Sequence, residues 1–242
     1  MLSKNQIKLV SSLHQKKYRK EYGLFLAEGV KVIRELLASK FELEHLYMVE
    51  ELFDDLPAKF KTLVSTVELN RMSALTTANN CLALFRIPKE RVLKEEGLIV
   101  ALDDVRDPGN LGTIIRLCDW FGVSQIVCTK ETVDLYNPKV IQATMGSVSR
   151  VEVHYVDLEV FLNSTKLPIY GTFMDGNNIY KEELPNQGIL ILGNEANGIS
   201  EKIENKVAHK IAIPQFGDLQ KTESLNVATA TAIVLSEFRR GF

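Results

Sequence analysis

Short, uninterrupted runs of apolar residues recur in the second part of the chain, and stretches with helical periodicity separate them. Runs of this length without polar alternation are typical of strands that helices cover on both faces, which favours a parallel α/β sheet. In such a sheet the binding crevice lies beyond the carboxyl ends of the strands, so candidate chemistry is expected directly after each run. The predicted strands are Leu98–Leu102, Gln125–Val127, Ile169–Phe173, Ile189–Leu192 and Lys210–Ile213.

The first part of the chain has a different pattern. Residues 3–17 predict one amphipathic helix, because Ser3 can cap it and apolar residues recur at helical spacing among lysines. Another helix is expected from Gly29 onward, and short apolar runs between polar stretches predict strands. This part is therefore predicted to be a small α/β unit, with strands at 24–26, 46–49, 62–64 and 81–87.

A charged stretch at residues 88–97 separates the two patterns. It holds six charged side chains and begins with proline, which is typical of a connector between domains. The predicted division is an N-terminal domain at 1–90, a linker at 91–97 and a second domain at 98–242.

The composition is that of an ordinary globular protein. Of 242 residues, 45% are hydrophobic and 25% are charged, and no apolar run approaches the roughly 20 residues of a transmembrane helix, so no membrane partner is expected. Cys81, Cys118 and Cys128 lie in apolar stretches without C-x-x-C spacing, which predicts free thiols and a reducing compartment. The basic, acid-free residues 1–20 could belong to a transit peptide, but their lysine bias favours a surface helix of a cytoplasmic protein.

The net charge of -2 hides an uneven distribution. Residues 1–40 hold nine lysines and arginines against three acids, so the rest of the chain is acidic. A basic segment of this kind is suited to contacts with the phosphates of a nucleic acid.

Polar candidates follow several of the predicted strands. The segment 103–112 leads into an apolar helix but lacks G-x-G-x-x-G, which excludes a dinucleotide fingerprint, and no segment completes a Walker A loop. On this helix Arg116 could serve chemistry or belong to a solvated polar stripe with Thr113 and Asp119. Asn110 could contribute to a site or simply cap the helix.

Two further segments also allow either a functional or a purely structural interpretation. The segment 193–198 contains two glycines and Glu195, and it could let a ligand approach its backbone or form only a structural turn. The last strand leads to an apolar helix that begins near Ser224 and Asn226, and Ser224 could be only its cap. Because this helix is apolar nearly all round, it is expected to pack on several sides, in the core or against another subunit.

Taken together and in this order, the three segments resemble the motifs of the SpoU (TrmH-type) RNA 2′-O-ribose methyltransferases of the SPOUT superfamily. The resemblance covers residues 98–240, and the first 90 residues are similar to the family's N-terminal RNA-binding extension. In this extension the similarity rests on Ser3-x-Asn5, Lys16-Lys17-x-Arg19 and Phe25-x-x-Glu28-Gly29. The three motifs are Asn110-x-Gly112-x-x-x-Arg116 with Phe121-Gly122, Leu192-Gly193-Asn194-Glu195-x-x-Gly198, and Ile213-Pro214 with Ser224-Leu225-Asn226-Val227-Ala228.

The resemblance implies a parallel-sheet α/β domain with a trefoil knot, a homodimer, and S-adenosylmethionine as the cofactor without a metal. It implies that Arg116 is the catalytic arginine and that Asn110, Glu195, Ser224 and Asn226 complete the site. The implied cofactor-binding residues are Thr172, Met174, Leu192, Gly193, Asn194, Gly198, Ile213 and Leu225.

The resemblance also frames the reaction. The family mechanism makes the arginine a general base, but a guanidinium stays protonated, so Arg116 could equally clamp the substrate phosphate and stabilise a developing alkoxide. The two-domain layout resembles the family's rRNA enzymes, which favours ribosomal RNA as substrate. A tRNA 2′-O-methyltransferase and a catalytically silent RNA-binding protein remain the alternatives, and the role of the long stretch 215–223 is open.

Overall fold

The computed structural model describes residues 2–217, 219 and 224–241. The chain forms two compact units, one of residues up to Glu90 with Asp134–Ser149, and the other of Arg91–Val133 with residues from Arg150 onward. The segment 134–149 thus folds with the first unit, although the predicted division placed it in the second domain.

The described helices and strands are numbered in chain order. The helices are α1 Lys4–Ser12, α2 Lys16–Tyr22, α3 Val30–Leu37, α4 Thr66–Met72, α5 Pro108–Trp120, α6 Pro138–Thr144, α7 Leu158–Ser164, α8 Glu201–Glu204 and α9 Val227–Arg239. The strands are β1 Leu24–Glu28, β2 Leu43–Met48, β3 Lys61–Leu63, β4 Cys81–Arg86, β5 Leu98–Leu102, β6 Gln125–Cys128, β7 Glu152–Tyr155, β8 Ile169–Asn178, β9 Gly188–Leu192 and β10 His209–Ala212.

The first unit is built on a mixed sheet in the order β1-β4-β2-β3. β4 runs antiparallel to β1 and β2, and β3 runs parallel to β2. One face of the sheet is covered by apolar side chains that include Val10 and Leu13 at the end of α1 and Leu69 of α4. The returning segment packs on the other face of the sheet. Leu24 and Leu26 of β1 belong to the first face, so Phe25 points to the second, and its ring centroid lies 4.8 Å from that of Tyr136.

The leading helix differs from the prediction. Ser3 caps it as expected, but the helix is broken, and α2 begins separately at Lys16. In the turn between the two helices, the Arg19 guanidinium donates hydrogen bonds to the carbonyls of Leu13 and His14, at 2.8 and 2.9 Å. The apolar periodicity of Ile7, Val10 and Leu13 stops at the break, but nothing in this local pattern shows that a side chain of the next helix stabilises a turn there.

The second unit confirms the parallel α/β prediction. Its six strands lie in the order β10-β8-β9-β5-β6-β7, and all neighbouring pairs are parallel. β9 and β5 are buried along their whole length, which explains their continuous apolar sequences. The trefoil knot stays a prediction. None of the described helices is long and apolar enough to cross a membrane.

The pairing of β8 with β10 is interrupted near the carboxyl end of β8. The register jumps from Gly171 to Asn177 between consecutive residues of β10, so residues 172–176 leave the ladder. A Cβ on Gly176 would lie 2.6 Å from the carbonyl carbon of Ile211, so glycine permits this close approach of two backbones. The bulge carries two of the predicted cofactor residues.

Candidate active site

The start of α5 sets the geometry of the site. Asp107 caps this helix by accepting the backbone N–H of Asn110 at 2.8 Å, and Pro108 occupies the first helical position. The alternative that Asn110 is itself the cap is therefore wrong. Asn110 lies in the first turn, and its side chain is available for partners outside the helix.

The side chains of Asn110, Glu195 and Asn226 form a hydrogen-bonded chain, called here the polar row. Asn110 Nδ2 donates to Glu195 Oε1 at 2.9 Å, and Asn110 Oδ1 accepts from Asn226 Nδ2 at 2.9 Å. Asn226 is itself fixed, because its Oδ1 caps α9 by accepting the backbone N–H groups of Ala228 and Thr229. The fold thus joins one polar residue from each of the three motif segments.

Asn194 shapes the loop 193–198. Its Nδ2 donates to the carbonyl of Asp104 at 2.7 Å, and its Oδ1 accepts backbone N–H groups two and three residues ahead. Its backbone exchanges two hydrogen bonds of 2.9 Å with Gly198. A Cβ on Gly193 would lie 2.1 Å from the carbonyl carbon of Gly198, so this turn requires glycine. The loop is therefore a structural turn that presents its one carboxylate to the polar row.

Asp103 is a positioning residue that sequence reasoning missed. It follows β5 directly and is 4% exposed, and its Oδ2 accepts the backbone N–H and the hydroxyl of Ser200 at 2.8 and 2.6 Å. Its own N–H donates to the carbonyl of Leu192 at 2.9 Å. These bonds tie both ends of the loop to β5. Its position in the sequence could have indicated this role, because Asp103 is the first polar residue after a predicted strand.

Arg116 lies on the exposed side of α5. The acid predicted to share a polar stripe with it, Asp119, is instead bound by Arg150, whose Nε lies 2.9 Å from Asp119 Oδ2. The Arg116 guanidinium has no hydrogen-bond or ion-pair partner in the described part of the chain. All its donors are therefore available to an anionic ligand.

Ser224 is exposed and precedes α9. It is not the helix cap, because Asn226 occupies that position. The alternative that Ser224 is only a helix cap is therefore wrong. Of the long stretch 215–223, residues 218 and 220–223 lie outside the described residues.

Thr172 and Met174 of the predicted cofactor residues lie in the bulge of β8, and Ile213 directly follows β10. Leu192, Gly193, Asn194 and Gly198 lie at the end of β9 and in the loop after it, and Leu225 precedes Asn226, the cap of α9. The Thr172 hydroxyl donates to the carbonyl of Ile191 at 3.4 Å, and Ile213 is half-buried. Met174 and Leu225 are 61% and 47% exposed. Exposed apolar side chains of this kind could contact a ligand with an aromatic base and apolar carbons.

The cysteines do not contribute a nucleophile. Burial raises the pKa of the Cys118 and Cys128 thiols far above the usual range, and it raises that of Cys81 to about 11. Within the described ranges, no group of three or more His, Cys, Asp or Glu residues could hold a metal ion.

Comparisons with known families match both units. A model described as the SpoU rRNA Methylase family matches residues 97–236, and one described as an MRM3-like substrate binding domain matches residues 4–83. The chain is 30% identical over 247 residues to the 23S rRNA (guanosine(2553)-2'-O)-methyltransferase RlmP of Bacillus subtilis. That match covers 98% of this chain and 97% of the relative.

Solved structures show the same likeness. A protein of the TrmH family from Porphyromonas gingivalis superimposes with a TM-score of 0.90 at 36% identity, covering 100% of both chains. An AdoMet-bound rRNA methyltransferase from Sinorhizobium meliloti gives a TM-score of 0.88 at 28% identity, covering 100% of this chain and 96% of the other.

Proposed function

Because the chain belongs to the SpoU rRNA Methylase family, we propose that it transfers the methyl group of S-adenosylmethionine to a ribose 2′-hydroxyl of RNA. Ribosomal RNA is the proposed substrate, since the Bacillus relative is named a 23S rRNA 2'-O-methyltransferase. The match to a substrate-binding domain over residues 4–83 supports a role for the first unit in holding that RNA.

The observation that carries the proposal is the polar row. Asn110, Glu195 and Asn226 come from segments far apart in sequence and meet at distances of 2.9 Å. Arg116 lies further along the helix that holds Asn110 in its first turn, and none of the described residues binds its guanidinium. Fixed polar groups at the start of a helix, together with an exposed cation on the same helix, fit a ribose with its flanking phosphate.

In the proposed reaction, bound S-adenosylmethionine would supply an electrophilic methyl carbon. A bond would form between the ribose oxygen and that carbon as the bond from the carbon to the sulfonium sulfur breaks, which leaves S-adenosylhomocysteine. Arg116 stays protonated, holds the adjacent phosphate and stabilises negative charge on the reacting oxygen. Glu195 is oriented by the hydrogen bond from Asn110 to its Oε1, and its other oxygen positions the ribose hydroxyl. The exposed Ser224 passes the released proton to water or phosphate.

The cofactor is proposed to bind at the carboxyl ends of β8, β9 and β10. The exposed Met174 and Leu225 would cover its apolar parts, and the fixed loop backbone would bind its polar groups. The proposed binding residues are Thr172, Met174, Leu192, Gly193, Asn194, Gly198, Ile213 and Leu225.

We also propose that the chain is knotted, that it forms a homodimer and that it lies in the cytoplasm. Trp120 at the end of α5 is 83% exposed, which supports contact of this surface with a second subunit, because a large apolar ring is rarely left in water. The three buried free cysteines support a reducing compartment.

The test is transfer of tritium from labelled S-adenosylmethionine to total RNA from cells that lack this protein. We expect label in one ribosomal RNA, recovered in an alkali-resistant dinucleotide because a 2′-O-methyl group blocks alkaline cleavage. A reaction with Arg116→Ala should give no labelled dinucleotide. Label in tRNA would overturn the proposed substrate. Binding of cofactor and RNA without any transfer would overturn the proposed activity and favour a silent RNA-binding protein.

A further inference from the structure

The short helix α2 presents two stacked tyrosine rings. The rings of Tyr18 and Tyr22 have centroids 6.2 Å apart and an interplanar angle of 13°. Tyr22 is 42% exposed, whereas Tyr18 is half-buried. One more flat ring can therefore extend the stack on the outer side.

Three lysines lie on the same short helix as this stack. Lys16, Lys17 and Lys20 are exposed, and the Lys17 ammonium lies 5.6 Å from the centroid of the Tyr18 ring, within cation–π range. Across α1 and α2 only Glu21 carries a negative charge. The surface of α2 thus combines aromatic faces with an excess of positive charge.

The backbone under this surface is held rigidly. Arg19 projects inward from the same helix, is 3% exposed, and donates to Asp134 from its Nε at 3.0 Å and from a terminal nitrogen at 2.5 Å. Gly23 ends the helix in a left-handed conformation with φ +64°. A binding surface fixed in advance loses little conformational entropy when a ligand is ordered on it.

We propose that Lys16, Lys17, Tyr18, Lys20 and Tyr22, called here the tyrosine platform, bind an unpaired nucleotide of the RNA substrate. The base stacks on Tyr22, and the lysines contact the flanking phosphates. This inference rests on the proposed function and adds to it that the RNA is recognised through a single-stranded element. Lysines alone would fit any polyanion, whereas an exposed aromatic stack among lysines selects a ligand with both a flat ring and phosphates.

The chain offers a matched control in the same unit. Lys59 lies over the Phe60 ring at 4.9 Å, but the preceding residues 50–55 contain four acids. The two sites share the pairing of a lysine with a ring and differ in the charge around it. Only the tyrosine platform is expected to bind RNA.

The experiment measures affinity of the full chain for a single-stranded oligoadenylate of about twelve nucleotides, and for a duplex of equal length. Tyr22→Leu should weaken single-strand binding by about tenfold and leave duplex binding within about twofold. Tyr22→Phe keeps the ring and should restore wild-type affinity, while Phe60→Leu should have no effect. Lys20→Gln should reduce the slope of log affinity against log salt by about 0.7.

Each outcome separates this inference from the proposed function. Unchanged single-strand affinity in Tyr22→Leu, with methyl transfer by the wild type intact, would overturn the platform alone. An equal loss on the duplex, or on heparin, would also overturn it, because the site would then recognise charge without stacking. Stacking demonstrated by a wild type that transfers no methyl group would instead overturn the activity. Deleting residues 1–20 is unsuitable, because it removes the buried Val10 and Leu13 from the core.

Discussion

Arg19 in the first unit and Arg116 in the second both lie on helices, and their surroundings are opposite. The nitrogens of the Arg19 guanidinium donate to Asp134 and to two backbone carbonyls, and the side chain is buried. Arg116 is exposed and donates to no residue that the structure describes. A buried cation with a full set of bonds stabilises the fold, whereas an exposed cation without bonds is available to a ligand.

The largest effect is expected at Arg116. Arg116→Ala should lower the rate of methyl transfer by about a thousandfold without changing the melting temperature, because it removes donors that act on the reacting groups alone. Thr113→Ala, on the same exposed side of α5, is the matched control and should stay within about twofold.

Arg116→Lys distinguishes the two roles considered for the arginine. A clamp that acts through positive charge should keep measurable activity in the lysine variant, since lysine also binds phosphate. An inactive lysine variant with normal affinity for RNA and cofactor would contradict the clamp.

The next effect is expected at Arg19. Arg19→Met should destabilise the protein by about 3 kcal/mol, because it leaves the Asp134 carboxylate and two turn carbonyls without their donor. Urea unfolding followed by circular dichroism measures this change. Lys20→Met, at the exposed neighbouring position, should change stability by less than about 0.5 kcal/mol. Similar values for both variants would show that the burial of Arg19 does not matter for stability.

The smallest effect is expected at Glu68, a half-buried carboxylate that accepts several hydrogen bonds. Backbone N–H groups of Ser65 and Leu2 donate to it and lower its pKa from 4.5 to about 2. Since the folded pKa lies below the unfolded one, this stabilisation is complete above pH 4.5 and is lost as the pH falls towards about 2. Glu68→Gln keeps an acceptor for the capping box without titrating.

Thermal melts of both proteins between pH 5 and pH 2 provide the measurement. The melting temperature of the wild type should fall more steeply over this window than that of Glu68→Gln. Parallel curves would show that the bonds to Glu68 carry no pH-dependent stability.

The sequence predicted those strands whose burial is recorded in a short stretch of residues. The continuous apolar runs identified β5, β6 and β9, because strands buried on both faces have continuous apolar sequences. They also identified the buried start of β8 and the buried end of β10. β7 was missed, since all four residues of this edge strand are half-buried and its sequence has no apolar run. α4 was also missed, although Ser65 and Glu68 form a capping box that could have indicated it.

The site shows the same limit. The order of the three motifs identified Asn110, Glu195 and Asn226 as candidate site residues. Only the structure shows that hydrogen bonds join them. Arg19 was counted among the surface cations of the basic segment, and the structure buries it against an acid 115 residues away. No pattern within a short window can reveal such a partner.

The return of residues 134–149 to the first unit has a consequence for synthesis on the ribosome. Tyr136 and Asp134 reach Phe25 and Arg19 only after the strands β5 and β6 of the second unit have been made. At the usual rate of about 5–20 residues per second, the first unit waits about 3–12 seconds after its residue 90 before it can be completed. The nascent N-terminal unit is therefore exposed to chaperones and proteases for that interval, and exchange of this unit between relatives must carry two separate stretches of gene.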